Sequence, residues 1–493
     1  MKRHLKICTI LLCMGMALSG CSSNPATGKH SFTGFMSPEK EIAVGTKEHP
    51  KMVKQFGGIY PDKTVSKFVR DLGLSLAKSS EKPNLPWTFT VLNDSIVNAF
   101  ALPGGYVYVT RGLLALASDK AELAGVLSHE IGHVTARHTA QRYSSTVAAN
   151  IGVNVIGVLS QVAGLGRVGG DLASLGANVA LKSYSRDQEF ESDKLGVRYM
   201  TRLGYDPQAM VSFFEKLKKN QIIEAENAGR DVGSVDKTGI FATHPRTADR
   251  IEQAIELTKS KNKKIGKRDA KDYLDHIDGL AFGDEASQGL VRGNMFIHPE
   301  MGVRFEVPDG FEIKNTPTAV VATDKSGAEI RFFGAPTKDV NAAGGMERYF
   351  VYKWGSGMDM SNMEKIDING MRAITAETTI WTGLSNTIFR RVIVEKDKNT
   401  YWRLEFKIPP NENTRLRDLL RRTTYSLRSP TDDELRKNSG WHVRVVKVGA
   451  GVTYDNLVNS MAVSNHKSEW FQALNNLTST DSLTSGMMVK VIK

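Results

Sequence analysis

The spacing of hydrophobic positions predicts a helical first half and a strand-rich second half of the chain. In the segment 120–141, apolar or small side chains recur every three to four residues, which predicts a mostly buried helix. Further helices are predicted at about 38–56, 62–78 and 207–220, and short strands at 87–92, 97–102 and 106–110. The first half is therefore expected to be mostly helical, with a small β-sheet.

Beyond residue 279 the pattern changes to short segments typical of strands. Strands are predicted at 294–297, 303–307, 319–323, 329–333, 371–380, 387–395 and 401–408, and helices at about 343–354 and 413–426. This combination predicts an α+β accessory domain over residues 286–432, in which we find no catalytic constellation. Residues 441–493 then predict a strand, two short helices and a closing strand.

The first 20 residues have the composition of a targeting segment. Basic residues stand near the start, and an apolar run follows at 10–16 that is too short to span a bilayer. Residues 18–21, Leu-Ser-Gly-Cys, have the form of a lipoprotein signal-peptidase site, so Cys21 is predicted to become the lipidated N-terminus. Ser22 follows it instead of an inner-membrane retention aspartate, which favours the outer membrane. An ordinary secretory signal is the alternative.

Composition adds constraints on compartment and partners. All three cysteines, Cys8, Cys13 and Cys21, lie in the signal or at its end, so the mature chain has no disulfide available. The net charge of +12 falls to +9 when the three basic residues of the signal are removed, which suits anionic envelope surfaces. Nucleic acid is excluded as a partner of an exported chain. A length of 493 residues indicates two or three domains.

Candidate chemistry first appears on the helix predicted at 120–141. His129 and His133 are four residues apart, so both imidazoles project from one face and can bind a single ion, with Glu130 beside it. In this HExxH arrangement two histidines hold zinc and the glutamate acts as general base. His138 lies about half a turn away from that face and is not predicted to be a ligand. The alternative is a core helix whose histidines only satisfy hydrogen bonds.

A second helical segment, residues 186–196, offers a third ligand. Glu189 and Asp193 are four residues apart and share a face. Glu189 can ligate the metal, while Asp193 can accept the N–H of a ligand histidine and so orient its ring. The alternative is a solvated charged face.

Four sequence blocks in a fixed order resemble the M48 peptidases, which include CAAX-type prenyl proteases, Oma1-like enzymes and bacterial periplasmic lipoprotein proteases. The blocks are Asn98–Gly105, His129–His133, Glu189–Asp193 and Thr243–Ile251. The resemblance covers roughly residues 25–260. It implies a zincin-type (gluzincin) metalloprotease that holds one Zn²⁺ per chain. Ser192 stands where family members carry alanine, a small change.

The resemblance also implies roles for individual residues. His129, His133 and Glu189 would be the zinc ligands and Glu130 the catalytic base. Zinc would polarise the scissile carbonyl and activate a water, and Asp193 would support a ligand from the second coordination shell.

Two further residues, His244 and Arg250, would lie near the zinc cleft and are predicted catalytic residues. His244 would either stabilise the oxyanion or occupy the open zinc position as an inhibitory fourth ligand. The sequence leaves both roles open, together with a turn histidine that has no role.

A substrate-binding edge strand is implied by the first block. In this family the corresponding strand flanks the zinc, and an exposed edge can bind a peptide by backbone pairing. The predicted substrate-binding residues are Asn98, Ala99, Phe100 and Ala101. An ordinary hairpin is the alternative.

Two other segments invite interpretation. Residues 147–181 are rich in glycine, alanine and valine, and we interpret them as a small-residue helical hairpin over the cleft; a membrane-touching lid is the alternative. Residues 441–493 resemble a divergent LysM-type module, which would bind peptidoglycan or envelope assembly proteins. A plain βααβ fold without a ligand is the alternative.

The predicted fold class is α+β, with a mostly helical metalloprotease domain, an α+β accessory domain and a LysM-like module. The predicted boundaries are signal peptide 1–20, tether 21–37, metalloprotease domain 38–262, linker 263–285, accessory domain 286–432 and C-terminal module 441–493.

The sequence therefore predicts a periplasmic lipoprotein, anchored to the outer membrane through Cys21, that cleaves misfolded or unassembled envelope proteins. The rival hypothesis is a binding or chaperone-like envelope lipoprotein with a structural zinc site. Glu130 argues against this rival, because a structural site has no use for a base beside the metal and usually closes with four protein ligands.

Overall fold

The structure is a computed structural model. It describes residues 21–158, 183–227, 231–232, 244, 250, 253, 256, 266–316, 318–356, 362–381, 386–409, 414–438, 440–478 and 481–493. The predicted signal peptide, most of the small-residue hairpin and much of the 243–251 block lie outside the described residues. In the described part of the chain, helices and sheets are mixed, in agreement with the predicted α+β class. No helix there combines the length and hydropathy needed to cross a bilayer.

The chain divides into two compact units. One contains the residues up to Phe282 together with His442–Lys493, and the other contains Gly283–Trp441.

The first unit begins with the helical region that was predicted as the protease. Its helices are α1 (Pro38–Gln55), α2 (Lys63–Lys78), α3 (Arg111–Leu116), α4 (Lys120–Thr135), α5 (His138–Val158), α6 (Arg186–Arg202), α7 (Gln208–Asn227) and α8 (Ala270–Ile277). Its strands are β1 (Cys21–Ser23), β2 (His30–Phe32), β3 (Thr88–Leu92), β4 (Ala99–Leu102), β5 (Tyr106–Thr110) and β6 (Ala281–Phe282). Strand β5 lies between β3, to which it is parallel, and β4, to which it is antiparallel.

The single helix predicted over 120–141 is wrong at its C-terminal end. Helix α4 ends at Thr135, and Arg137 adopts the left-handed backbone conformation, with φ 61°. That conformation costs about 1–2 kcal/mol for a non-glycine residue. Three contacts of the Arg137 guanidinium offset the cost: Glu41 Oε2 at 3.1 Å, Thr33 Oγ1 at 3.0 Å and the Met36 carbonyl at 2.6 Å. The chain therefore turns sharply before α5.

The segment predicted as a tether, residues 21–37, is folded in its described part. Strands β1 and β2 form a hairpin. The Asn24 amide donates to the carbonyl of Thr135 at 3.0 Å, and Arg198 donates to the carbonyl of Ala26 at 2.9 Å. These contacts join the hairpin to the end of α4 and to α6. They connect residues more than 100 positions apart, so local composition gave no signal of them.

The segment predicted as a linker, residues 263–285, is also corrected. From Gly266 onward it is ordered, and it contains α8 and β6. Tyr273, Leu274 and Ile277 of α8 are buried, which indicates an amphipathic helix that packs into the core.

The second unit is a strand-rich α+β domain. Its strands are β7 (Leu290–Arg292), β8 (Met295–His298), β9 (Val303–Glu306), β10 (Glu312–Asn315), β11 (Val320–Thr323), β12 (Glu329–Ala335), β13 (Glu364–Ile368), β14 (Met371–Trp381), β15 (Asn386–Asp397) and β16 (Thr400–Ile408). Its helices are α9 (Thr337–Ala342), α10 (Met346–Tyr349), α11 (Thr414–Ser426) and α12 (Asp432–Lys437), with one π-helical turn, Phe350–Trp354.

Ten strands make two sheets in the described part of this unit. The larger, antiparallel sheet has the order β10-β11-β12-β16-β15-β14-β13, and β7, β8 and β9 form the smaller one. The helix predicted at 343–354 is corrected, because Gly344 and Gly345 have φ of 85° and 112° and separate α9 from α10. Strands β7, β10 and β13 were not predicted.

The C-terminal segment has the predicted βααβ order. It consists of β17 (Trp441–Lys447), α13 (Tyr454–Asn459), α14 (Lys467–Asn475) and β18 (Met488–Ile492), and β17 pairs with β18 and stands beside β6. The buried Lys490 ammonium donates to the carbonyls of Ala115, Leu116 and Ala117 at 2.5–3.0 Å. These carbonyls end α3 and have no partner within that helix. The segment is thus part of the first unit, and its likeness to LysM modules stays a prediction.

Candidate metal centre

Helices α4 and α6 approach each other closely enough to bring their polar side chains together. A methyl group placed on Gly132 would lie 3.0–3.2 Å from atoms of Ser192, and one on Gly196 would lie 3.3 Å from the His129 backbone nitrogen. Ser192, where the family carries alanine, also donates to the carbonyl of His129 at 3.1 Å. Small residues at this crossing therefore allow Glu189 to reach the histidines of α4.

Four buried side chains converge at this crossing. Ligand atoms of His129, His133, Glu189 and His244 all lie within 4.8 Å of one another. Nε2 of His129 lies 3.0 Å from Nε2 of His133 and 3.3 Å from Nδ1 of His244. The Glu189 carboxylate lies 3.4 Å from His133 Nε2 and 3.1 Å from His244 Nδ1.

The four individual distances, 3.0–3.4 Å, are close to those around a tetrahedral zinc ion. Zinc–nitrogen and zinc–oxygen bonds of about 2.0–2.1 Å place tetrahedral donors about 3.3 Å apart. Nitrogen and carboxylate oxygen atoms are also the donor types that zinc accepts. The four side chains are therefore a suitable set of ligands for one zinc ion.

The local charge also fits a divalent cation. Glu130, Glu189 and Asp193 are almost fully buried, and the buried guanidinium of Arg250 contacts Glu189 and Asp193. Three carboxylates and one guanidinium leave two negative charges, which are costly to bury without compensation. A divalent ion would neutralise them. Within the described part of the chain, Oε2 of Glu130 and Nε2 of His244 are buried and have no hydrogen-bond partner.

Asp193 and Arg250 form a chain of hydrogen bonds that begins at His129. Asp193 Oδ1 lies 2.9 Å from Nδ1 of His129, and Arg250 donates two hydrogen bonds of 2.8 Å to the Asp193 carboxylate. Arg250 Nη1 also lies 2.7 Å from Oε2 of Glu189. Arg250 thus holds two carboxylates of the site, and its position favours a structural role over direct contact with a substrate.

The electrostatic environment differs between the two histidines of α4. Burial opposes protonation of His129, but hydrogen bonds to Asp193 and Glu189 raise its pKa to about 10. Burial holds the pKa of His133 well below its usual range. Without a metal ion, Asp193 and Glu189 thus stabilise the protonated form of His129. A bound metal ion would supply the positive charge instead of that proton.

The pKa values of the Glu130 and Glu189 carboxyl groups shift in opposite directions. Burial raises the pKa of Glu130, although His244 and His129 lower it in part. Burial acts in the same direction on Glu189, but His244 and Arg250 outweigh it and hold the pKa of that carboxyl well below its ordinary value. Glu189 is therefore ionised, as a metal ligand must be.

Two residues of the site were missed by sequence reasoning. His138 Nδ1 lies 2.8 Å from Nδ1 of His133, and the ring of Tyr184 stacks on that of His133 with centroids 3.7 Å apart. His138 was placed off the metal face because a continuous helix was assumed, whereas the turn at Arg137 redirects it. No local pattern marks Tyr184.

The residues predicted to bind substrate are mostly part of the hydrophobic core. In the described part of the chain, β4 is an edge of its three-stranded sheet. Ala99, Phe100 and Ala101 are buried, and the Phe100 ring stacks on Tyr108 with centroids 4.7 Å apart. Only the backbone of this strand is therefore suited to pair with a peptide. Asn98 precedes the strand, and no described residue hydrogen-bonds to its buried side-chain oxygen. Cys21, the predicted lipidation site, begins β1.

A pocket of about 40 Å³ lies beside Glu130. Its walls are largely apolar and come from α4 and α7, with His129, His244 and Arg250 at one end. The apolar lining residues are Val126, Met210, Phe213, Phe214 and Leu217. The pocket therefore presents an apolar surface next to the proposed base.

Comparison with known proteins places the centre in a family. The family model "Peptidase family M48" matches residues 65–258. The beta-barrel assembly-enhancing protease of Escherichia coli (strain K12) is 30% identical over 212 residues, which cover 41% of each chain. The protein of the same name from Yersinia pestis is 32% identical over 189 residues, covering 37% of this chain and 38% of that protein.

A eukaryotic relative matches the same kind of domain. The mitochondrial metalloendopeptidase OMA1 of Arabidopsis thaliana is 35% identical over 144 residues, covering 29% of this chain and 28% of that protein. The chain thus matches less than half of the length of each of these relatives. All four side chains of the cluster lie inside the matched residues. Residues 65–258 therefore match the model of peptidase family M48, a family of zinc-dependent metalloproteases, and the relatives matched by this chain are named as proteases of that kind.

Proposed function

We propose that this chain is a zinc-dependent endopeptidase of the bacterial cell envelope that cleaves misfolded or unassembled envelope proteins. One observation carries the proposal. Four zinc-type donors lie within 4.8 Å of one another, and Glu130 lies beside them with a carboxylate oxygen that has no hydrogen-bond partner among the described residues. A glutamate in that place is suited to exchange protons with a water that attacks a peptide bond.

The residues of the centre divide into ligands and base. His129, His133 and Glu189 are the proposed zinc ligands. Bound zinc supplies Lewis acidity, which polarises a carbonyl and acidifies water. Glu130 takes a proton from the attacking water and returns it to the leaving amine nitrogen. The apolar walls of the pocket beside Glu130 are suited to contact an apolar side chain of the substrate next to the scissile bond.

His244 gives the described centre a closed arrangement. Its Nδ1 lies where a fourth donor would stand, 3.3 Å from His129 Nε2, and its Nε2 lies 3.6 Å from Oε1 of Glu130. A catalytic zinc site needs one open position. We therefore propose that His244 acts as an inhibitory fourth ligand, which must leave before water and substrate can enter.

The rival function is a binding or chaperone-like lipoprotein with a structural zinc site. Closure by four protein donors is the observation that favours it. Against it stands Glu130, a buried carboxylate with one unpaired oxygen, which a structural site does not require. Cleavage of an unfolded protein by the zinc-loaded chain would support the peptidase, whereas tight zinc binding without cleavage would favour the rival.

Replacement of Glu189 tests the ligand assignment. Glu189→Gln is expected to lower zinc affinity sharply, because a neutral amide replaces an anionic ligand in a buried site. Asp193→Ala should weaken binding more mildly, about 10- to 100-fold, since Asp193 acts through His129. Zinc affinity is measured by competition with a chromophoric chelator. Asp187→Asn, which removes the same charge from an exposed position of α6, is the matched control. Wild-type affinity in Glu189→Gln would show that another residue is the third ligand.

The proposed location is the periplasmic face of the outer membrane. Bacterial relatives named beta-barrel assembly-enhancing proteases favour the envelope, and the residues before Cys21 favour lipidation at that cysteine. Cys21→Ala is expected to release the chain from the membrane fraction or leave an unprocessed precursor. Unchanged fractionation and processing would show that the anchor is not at Cys21. Binding of peptidoglycan or assembly proteins by the C-terminal segment stays a prediction.

A further inference from the structure

The second ring nitrogen of each α4 histidine has a buried partner. For His129 the partner is the carboxylate of Asp193. For His133 it is another histidine, His138, whose Nδ1 lies 2.8 Å from Nδ1 of His133. His133 is 2% exposed and His138 is fully buried, so water does not compete for this contact.

The geometry determines which nitrogen carries each proton. A ligand histidine must present an unprotonated nitrogen to the metal, so His133 Nε2 is bare and its Nδ1 carries the proton. Nδ1 of His138 must then accept that proton as a hydrogen bond. The proton of a neutral His138 consequently lies on Nε2, 3.0 Å from Oε2 of Glu191. The Glu191 carboxylate accepts this second hydrogen bond.

Glu191 is itself held in place. Its Oε1 lies 3.0 Å from the ammonium nitrogen of Lys29, in the N-terminal hairpin. The Glu191 side chain is 13% exposed and that of Lys29 is 69% exposed, so the ion pair is at the surface and its own contribution is small. The part-buried hydrogen bond between the fully buried His138 ring and Glu191 is the stronger restraint.

We propose that His138, oriented by Glu191, is a positioning residue that fixes the tautomer and direction of the zinc ligand His133. Both histidines of α4 would then depend on a carboxylate, His129 directly through Asp193 and His133 through the ring of His138. The left-handed turn at Arg137 makes this possible, because it returns His138 toward His133 immediately after α4 ends. The inference rests on the proposed zinc site, but it does not depend on peptide cleavage.

Two substitutions of His138 separate positioning from packing. His138→Leu keeps an apolar side chain in the space but cannot accept a hydrogen bond. His138→Asn places a side-chain oxygen near the position of Nδ1 and can accept one. Zinc dissociation constants are measured by chelator competition, and melting temperatures are measured at saturating zinc. We expect His138→Leu to bind zinc about 10- to 100-fold more weakly than wild type and His138→Asn to recover most of that loss.

Glu191→Gln adds a test of the second hydrogen bond, with Asp187→Asn on the same helix as control. Glu191→Gln should weaken zinc binding less than His138→Leu, while Asp187→Asn should leave it unchanged. The proposal is overturned if His138→Leu binds zinc like wild type. It is also overturned if His138→Leu and His138→Asn weaken zinc binding equally, because a change in packing alone would then explain the effect. Because the readout is zinc affinity, a zinc-loaded chain that cleaves no peptide would refute the proposed function and leave this inference standing.

Discussion

Glu130→Gln is expected to keep zinc at one ion per chain and to lose nearly all peptide hydrolysis. The amide has almost the same shape as the carboxylate but cannot take a proton from water. General acid–base catalysis typically contributes about 10²- to 10⁴-fold to the rate, and turnover should fall by an amount of that order. Glu130 is not among the four donors, so zinc affinity should hardly change.

The measurement is hydrolysis of an unstructured protein together with the zinc content of the same sample. The zinc content serves as the internal control, because a variant that had lost the metal would also be inactive. Asp187→Asn again controls for the loss of one acidic side chain at an exposed site. Wild-type turnover in zinc-loaded Glu130→Gln would refute the assignment of the base.

His244→Ala is expected to raise activity. In the described arrangement the His244 ring fills the position of a fourth ligand and faces Glu130 with its other nitrogen. Its removal should leave zinc on His129, His133 and Glu189 and open the fourth position to water. A closed state favoured by about 1.4 kcal/mol leaves only about one molecule in ten open, so removal of the closure would raise turnover about tenfold.

The alternative role of His244 predicts the opposite sign. A side chain that stabilises the oxyanion is worth about 2.7–4 kcal/mol in the transition state, a loss of a hundredfold or more on truncation. Initial rates on an unfolded substrate, with zinc content checked, decide between the two. His276→Ala is a suitable control, since His276 lies on α8, outside the donor group. A strong fall in turnover with zinc retained would rule out the inhibitory role.

The sequence predicted the parts of the site and of the fold that follow from the regular spacing of residues along a helix or strand. The four-residue spacings of His129 with His133 and of Glu189 with Asp193 place each pair on one helical face, and the structure brings both faces together. The boundaries of α1, α2 and β3 were also close to those predicted, because each has a regular apolar pattern and clear ends.

Contacts between distant segments could not be predicted from local patterns. His138 reaches His133 only because Arg137 adopts a left-handed conformation, which is held by side chains about 100 residues earlier. Lys490 meets the end of α3 across more than 370 residues. A segment can be polar and rich in turns, as 21–37 is, and still fold against a helix when its hydrogen-bonding groups find distant partners.

Removal and return of the metal test the central claim most directly. The purified chain is treated with a zinc chelator, and hydrolysis of an unfolded protein is followed as zinc is added back. The account predicts that activity disappears on chelation and returns in proportion to zinc, up to one ion per chain. Hydrolysis that persists in the metal-free chain, or a fully zinc-loaded His244→Ala chain that cleaves nothing, would contradict it.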